Sequence, residues 1–98
     1  MPALLEPEAV QTLLPEVPEW KLEENAIART FEFASFLLAI AFVNKVAEEA
    51  ENANHHPDID IRWRKVRLAL STHSAGGLTS ADFTLARKLD QVFSQFAG

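Results

Sequence analysis

Between residues 59 and 70 apolar and polar side chains alternate, but the alternation changes parity midway. Ile59, Ile61 and Trp63 occupy odd positions, whereas Val66, Leu68 and Leu70 occupy even ones. A β-strand places every second side chain on the same face, so one continuous strand cannot carry both sets on one side. Two antiparallel strands joined by a two-residue turn can. The spacing predicts such a hairpin, turning at Arg64 and Lys65 with Trp63 opposite Val66, although Arg-Lys is not favoured turn chemistry. A second hairpin is predicted upstream. Trp20 and Leu22 alternate with charged neighbours, Glu24 and Asn25 supply turn residues, and Ile27, Arg29, Phe31 and Phe33 continue with period two, giving an aromatic inner side.

Three helices fit between and around these strands. In residues 7–14, Val10, Leu13 and Leu14 recur at helical spacing, with Pro7 suited to the first helical position and Pro15 closing the segment. Ser35 is a candidate N-cap for a long helix whose apolar stripe is Phe36, Ile40, Val43, Val46 or Ala47, and Ala50, fading by residues 52–54. Thr79 and Asp82 form a capping box flanked by a Leu78–Phe83 hydrophobic staple, opening a third helix striped by Phe83, Ala86, Leu89, Phe93 and Phe96. The predicted order is α-β-β-α-β-β-α. That is an α+β fold, a four-stranded antiparallel sheet with three helices on one face, expected as a single domain over residues 1–98.

Composition narrows the function classes. The formal net charge is −5 and the basic residues are scattered, apart from a short run over residues 62–67, which argues against a nucleic-acid partner held through phosphates. The chain has no cysteine, which removes disulfide and thiolate chemistry. Residues 1–5 do not read as a leader, and the longest apolar run, residues 36–43, is too short to cross a bilayer. A cytoplasmic protein without a membrane partner is expected.

The three histidines are His55, His56 and His73. Extending the predicted hairpin register backwards sets His56 across from His73, away from the face of Ile59 and Leu68, with His55 free to approach from the side. Imidazoles titrate near neutral pH, so in such a group one ring can accept a proton while another donates one. A zinc site drafted from His55, His56, His73 and Glu51 fits less well. Adjacent residues of an extended segment point to opposite sides, and the spacing matches no familiar zinc pattern. Asp82 is explained in full by its capping position, and Glu51, near a helix C-terminus, by solvation.

Taken together, Glu51, the run His55, His56 and Pro57, the aromatic Trp63, the run Ser71, Thr72 and His73, and the passage from Gly77, Leu78 and Thr79 to Asp82 resemble the pterin-4a-carbinolamine dehydratase family, also known as dimerisation cofactors of a homeodomain factor. The resemblance implies the same four-stranded, three-helix fold. It also implies dehydration of a 4a-hydroxytetrahydropterin to the quinonoid dihydropterin, which supports recycling of the tetrahydropterin cofactor of aromatic amino acid hydroxylases. By that resemblance His55 and His73 are the acid and base and His56 holds the pterin. Pro57, Glu51, Asp82 and Trp63 complete the substrate-binding set, with no metal and no cofactor. Ile59 stands where some relatives carry an aromatic residue, which bears on the pocket rim.

The family also contains binding partners, including a stabiliser of a transcription-factor dimer and relatives of assembly factors. A non-catalytic binding module on the same fold is therefore the alternative. Seven Phe in so short a chain, together with the family's habit, imply a homodimer or homotetramer.

Overall fold

The computed structural model describes residues 3–96; Met1, Pro2, Ala97 and Gly98 lie outside it, and with them part of the leader reading and the ends of the expected domain. Helix α1 (Pro7–Leu13) starts on its proline and passes into a 3-10 turn, Leu14–Glu16. Strands β1 (Lys21–Glu23) and β2 (Ala26–Glu32) form the first hairpin, helix α2 (Phe36–Ala53) follows, β3 (Asp58–Arg62) and β4 (Lys65–Leu70) form the second, and α3 (Ser80–Ser94) ends the order. The sheet runs β1-β2-β4-β3, antiparallel throughout. Both predicted hairpins and all three helices are present, in the predicted order.

Why the helices cover one face follows from the strands. Ile27 and Phe31 of β2, and Val66, Leu68 and Leu70 of β4, are buried against Phe42 of α2 and Phe83 and Leu89 of α3. Phe31, Phe33, Phe42 and Phe93 pack ring against ring at centroid separations of 4.9 to 5.9 Å, in the tilted and edge-on arrangements aromatic quadrupoles favour. Arg29 shares this face. Its guanidinium lies 4.3 Å from the Phe31 centroid and bonds Asp90 Oδ1 at 2.7 Å, and the same oxygen accepts from Trp20 Nε1 at 2.8 Å. A cation inside the layer is thus paired by a carboxylate and covered by a ring.

Two expectations are corrected. The second hairpin turns at Trp63 and Arg64, not Arg64 and Lys65, because Arg62 pairs with Lys65, Ile61 with Val66 and Ile59 with Leu68. Trp63 is therefore a turn residue at φ 53, 70% exposed and lying beside the Arg64 guanidinium, instead of facing Val66. Ile59 and Ile61 keep the inward parity, but β3 is a sheet edge beyond the helices and they stay about 40% and 38% exposed. In α2 the buried stripe is Ala39, Phe42, Val46 and Ala50, whereas Phe36 is exposed, as are Leu37 and Leu38. The first two turns of α2 are apolar nearly all round, so periodicity allowed neighbouring stripes, and docking of Phe42 against Phe31 and Phe33 selects one.

The caps behave as read. Ser35 Oγ accepts from Leu38 N at 3.1 Å, and the box of Thr79 and Asp82 is closed in both directions, with Leu78 and Phe83 both buried.

Candidate functional site

The site forms where α2 ends, β3 begins and β4 runs into the loop before α3. Asn54 takes the left-handed conformation, φ 50, that stops α2, and the backbone N–H of His55 returns to Ala50 O at 3.0 Å. His55 is thereby fixed to the helix end as the chain turns towards β3. On the opposite wall, Thr72 and Gly77 form an isolated antiparallel bridge that closes a 3-10 turn, His73–Ala75. Gly76 completes this turn at φ 78, a conformation a side chain resists, and nothing lies within 4 Å of where its Cβ would be. Gly76→Ala is therefore expected to cost backbone strain alone, about 1 to 2 kcal/mol, which thermal unfolding would register as a fall of roughly 4 to 15 °C.

Asp82 is fully buried in the first turn of α3, and its two oxygens have different partners. Oδ2 accepts from Thr79 N at 2.9 Å and from Thr72 Oγ1 at 2.9 Å, while Oδ1 meets His55 Nε2 at 2.5 Å. A carboxylate only accepts, which fixes the direction of the other bonds. Thr72 must donate to Asp82, so at 2.8 Å its oxygen accepts from the Thr79 hydroxyl, and Thr79 Oγ1 in turn accepts from Ala81 N at 3.2 Å. By the same logic His55 Nε2 carries a proton, leaving Nδ1 as the ring nitrogen with no protein partner among the described residues. Capping alone was sufficient for Asp82 in the sequence; here one oxygen caps and the other holds His55.

His56 Nε2 lies 2.5 Å from Glu51 Oε2, with both side chains largely in solvent. The ring of His73 is exposed and has no hydrogen-bond partner among the described residues. All three histidines, with Pro57, line one open cavity of about 420 Å³ bounded by residues 54–58 and 71–74. That volume suits a small ring system. His55 is also a wall of a second cavity of about 410 Å³ between α2 and α3, lined by Asn52, Ala81, Leu85 and Lys88 among others.

The convergence expected of His55, His56 and His73 is therefore present, but not by the expected route. β3 begins at Asp58 and β4 stops at Leu70, so His56 and His73 are not ladder partners; both flank the hairpin, and the 3-10 turn carries His73 to the cavity. Glu51 and Asp82 each hold a different histidine. Trp63 is not brought to this cavity. The five residues of β3 lie between it and Pro57, six steps or about 20 Å at strand rise. Sequence reasoning missed the hydroxyls of Thr72 and Thr79 as parts of the site; two hydroxyl residues directly before His73 were the available signal. Among the described residues no three His, Asp or Glu side chains are arranged to hold a metal ion, so the zinc set drafted from His55, His56, His73 and Glu51 does not fit the geometry.

Comparison with known proteins gives consistent matches. Residues 3–92 match the family model described as pterin 4 alpha carbinolamine dehydratase. A protein of Acidobacterium capsulatum, provisionally named pterin-4-alpha-carbinolamine dehydratase, is 57% identical over 90 residues, covering 92% of this chain and 98% of its own. A similarly named protein of Chloroflexus aurantiacus is 56% identical over 92 residues, covering 94% of this chain and 98% of its own. The crystal structure of a transcriptional coactivator/pterin dehydratase from Brucella melitensis superposes with a TM-score of 0.86 at 31% identity, covering 90% of this chain and 96% of the other. A pterin dehydratase-like RuBisCO assembly factor of the alpha-carboxysome shares the fold, with a TM-score of 0.62 at 22% identity over 74% of this chain and 84% of the other.

Proposed function

The chain belongs to the pterin-4a-carbinolamine dehydratase family, and from that premise we propose that it catalyses dehydration of a 4a-hydroxytetrahydropterin by histidine acid–base chemistry. The observation that carries the reading is the single cavity shared by His55, His56 and His73, two of them anchored by carboxylates and one without a partner among the described residues. Elimination needs one proton delivered to the hydroxyl on C4a, so that it leaves as water when the C–O bond breaks. It needs another removed from the neighbouring ring nitrogen, whose electron pair closes the C=N bond of the quinonoid product.

His55 is the base. Its Nε2–H is committed to Asp82, which leaves the Nδ1 lone pair to accept, and the buried carboxylate stabilises the imidazolium that results. His73, whose ring is exposed and has no hydrogen-bond partner among the described residues, is the acid. His56, steadied by Glu51 at the cavity mouth, holds the pterin, with Pro57 stiffening the wall beside it. The reaction asks for no metal or redox cofactor, and the product re-enters tetrahydropterin recycling. The test is stopped-flow decay of carbinolamine generated in situ. Purified protein is expected to accelerate the decay, and to do so equally after treatment with chelator; a decay rate unchanged by the protein would overturn the reading.

A binding or assembly role is the second reading, favoured by the apolar side chains that α2 leaves exposed, Phe36, Leu37 and Leu38. The same side chains, with Ile59 and Ile61 on the β3 edge, support a homodimer or homotetramer. No helix among the described residues is long and apolar enough to cross a membrane. We place the protein in the cytoplasm.

A further inference from the structure

We propose that Thr72 is a positioning residue of the reaction, acting through Asp82 to fix the tautomer and orientation of His55; this deepens the dehydratase reading and rests on it for its kinetic arm. The Thr72 hydroxyl bonds Thr79 and Asp82, and neither the His55 nor the His73 ring. It is 7% exposed, and Thr79 and Asp82 on either side of it are fully buried. The three side chains form one directed chain, Thr79 O–H to Thr72 Oγ1 at 2.8 Å, then Thr72 O–H to Asp82 Oδ2 at 2.9 Å.

The chain has a geometric consequence. Oδ2 receives two donors, Thr72 O–H and Thr79 N–H, and so the Asp82 carboxylate cannot rotate without breaking one of them. Oδ1 is then held towards His55 Nε2 as an acceptor, and only the tautomer with hydrogen on Nε2 satisfies it. Hydrogen bonds linked in sequence inside a low-dielectric interior also polarise one another, which strengthens the last of them. Thr72 has a second attachment, because its backbone bridges Gly77 and its next neighbour is His73. One residue therefore ties the placement of His55 to the turn that carries His73. The two histidines flank opposite chain ends of the β3–β4 hairpin, and Thr72 sets the spacing between them.

Valine keeps the β-branched shape of threonine and leaves the backbone bridge in place while deleting the hydroxyl. Thr72→Ser keeps the hydroxyl and loses only a methyl group. The experiment measures the ¹⁵N shifts of the His55 ring in the resting protein alongside kcat and KM for dehydration, with thermal unfolding recorded for every variant. In the wild-type protein and Thr72→Ser, His55 is expected in the Nε2–H form. In Thr72→Val a mixture of tautomers is expected, with kcat lowered about 10- to 100-fold and KM changed less than about threefold, as for a misplaced catalytic group. Retention of the Nε2–H form with unchanged kcat in Thr72→Val overturns the proposal, as does failure of Thr72→Ser to restore both. The tautomer reading needs no substrate. A wild-type protein without dehydratase activity would contradict the functional reading alone, and the ring shifts would still decide the role of Thr72.

Discussion

His73→Ala and His55→Gln each lower kcat for carbinolamine dehydration by about 10²- to 10⁴-fold, the range that one well-placed proton-transfer group contributes. His73 is exposed and has no hydrogen-bond partner among the described residues, so its removal changes stability by no more than about 0.5 kcal/mol. His55 needs a different substitution, because alanine would strip the donor from a fully buried carboxylate. The glutamine amide reaches as far as Nε2 and can donate to Asp82 Oδ1, but it neither accepts nor shuttles a proton. Stopped-flow turnover with circular dichroism as the folding control measures both variants. Wild-type rates in both would remove the assignment of acid and base.

The second large effect falls on Asp82, where activity and stability separate by substitution. Asp82→Asn can retain acceptance from Thr79 N and Thr72 on its oxygen, but it turns an N–H towards His55. His55 must then accept on Nε2 and carry its hydrogen on Nδ1, the wrong tautomer for a base that uses Nδ1. A fall in kcat of about 10²- to 10⁴-fold follows, with the fold kept. Asp82→Ala removes the return half of the capping box and leaves buried donors on Thr72 and Thr79 unpaired. The cost is about 3 to 5 kcal/mol, or a fall of at least about 12 °C in Tm. Denaturant melts and turnover on the same two proteins check the separation. Equal loss of stability in both would mean that Asp82 is a cap and nothing more.

Period two and its change of parity were enough to find the second hairpin, and yet the turn was misplaced by one residue. Shifting the turn by one moves the register by two and leaves every inward residue facing inward, so the hydrophobic pattern is blind to the difference. Only turn chemistry can decide, and neither Trp63-Arg64 nor Arg64-Lys65 carries the residues that usually mark such turns. The stripe of α2 was misread for a related reason: residues 36–43 offer apolar side chains in nearly every direction, and the sheet chooses among them.

The gathering of His55, His56 and His73 was legible because short-range chain geometry already forces those segments together at one end of a hairpin. The hydroxyl network was not. Thr72 and Thr79 acquire their roles from the Thr72–Gly77 bridge, a tertiary feature with no periodic signature. Trp63 illustrates the converse, a residue that sequence similarity groups with the site and that β3 carries about 20 Å away from Pro57.

The most direct test is a single-mixing experiment in which a 4a-hydroxytetrahydropterin is formed in situ and its ultraviolet decay is followed with wild-type protein, with the His55→Gln, His73→Ala double variant, and without protein. Acceleration by the wild type that disappears in the folded double variant is the expected result. An equal acceleration by both proteins would contradict it.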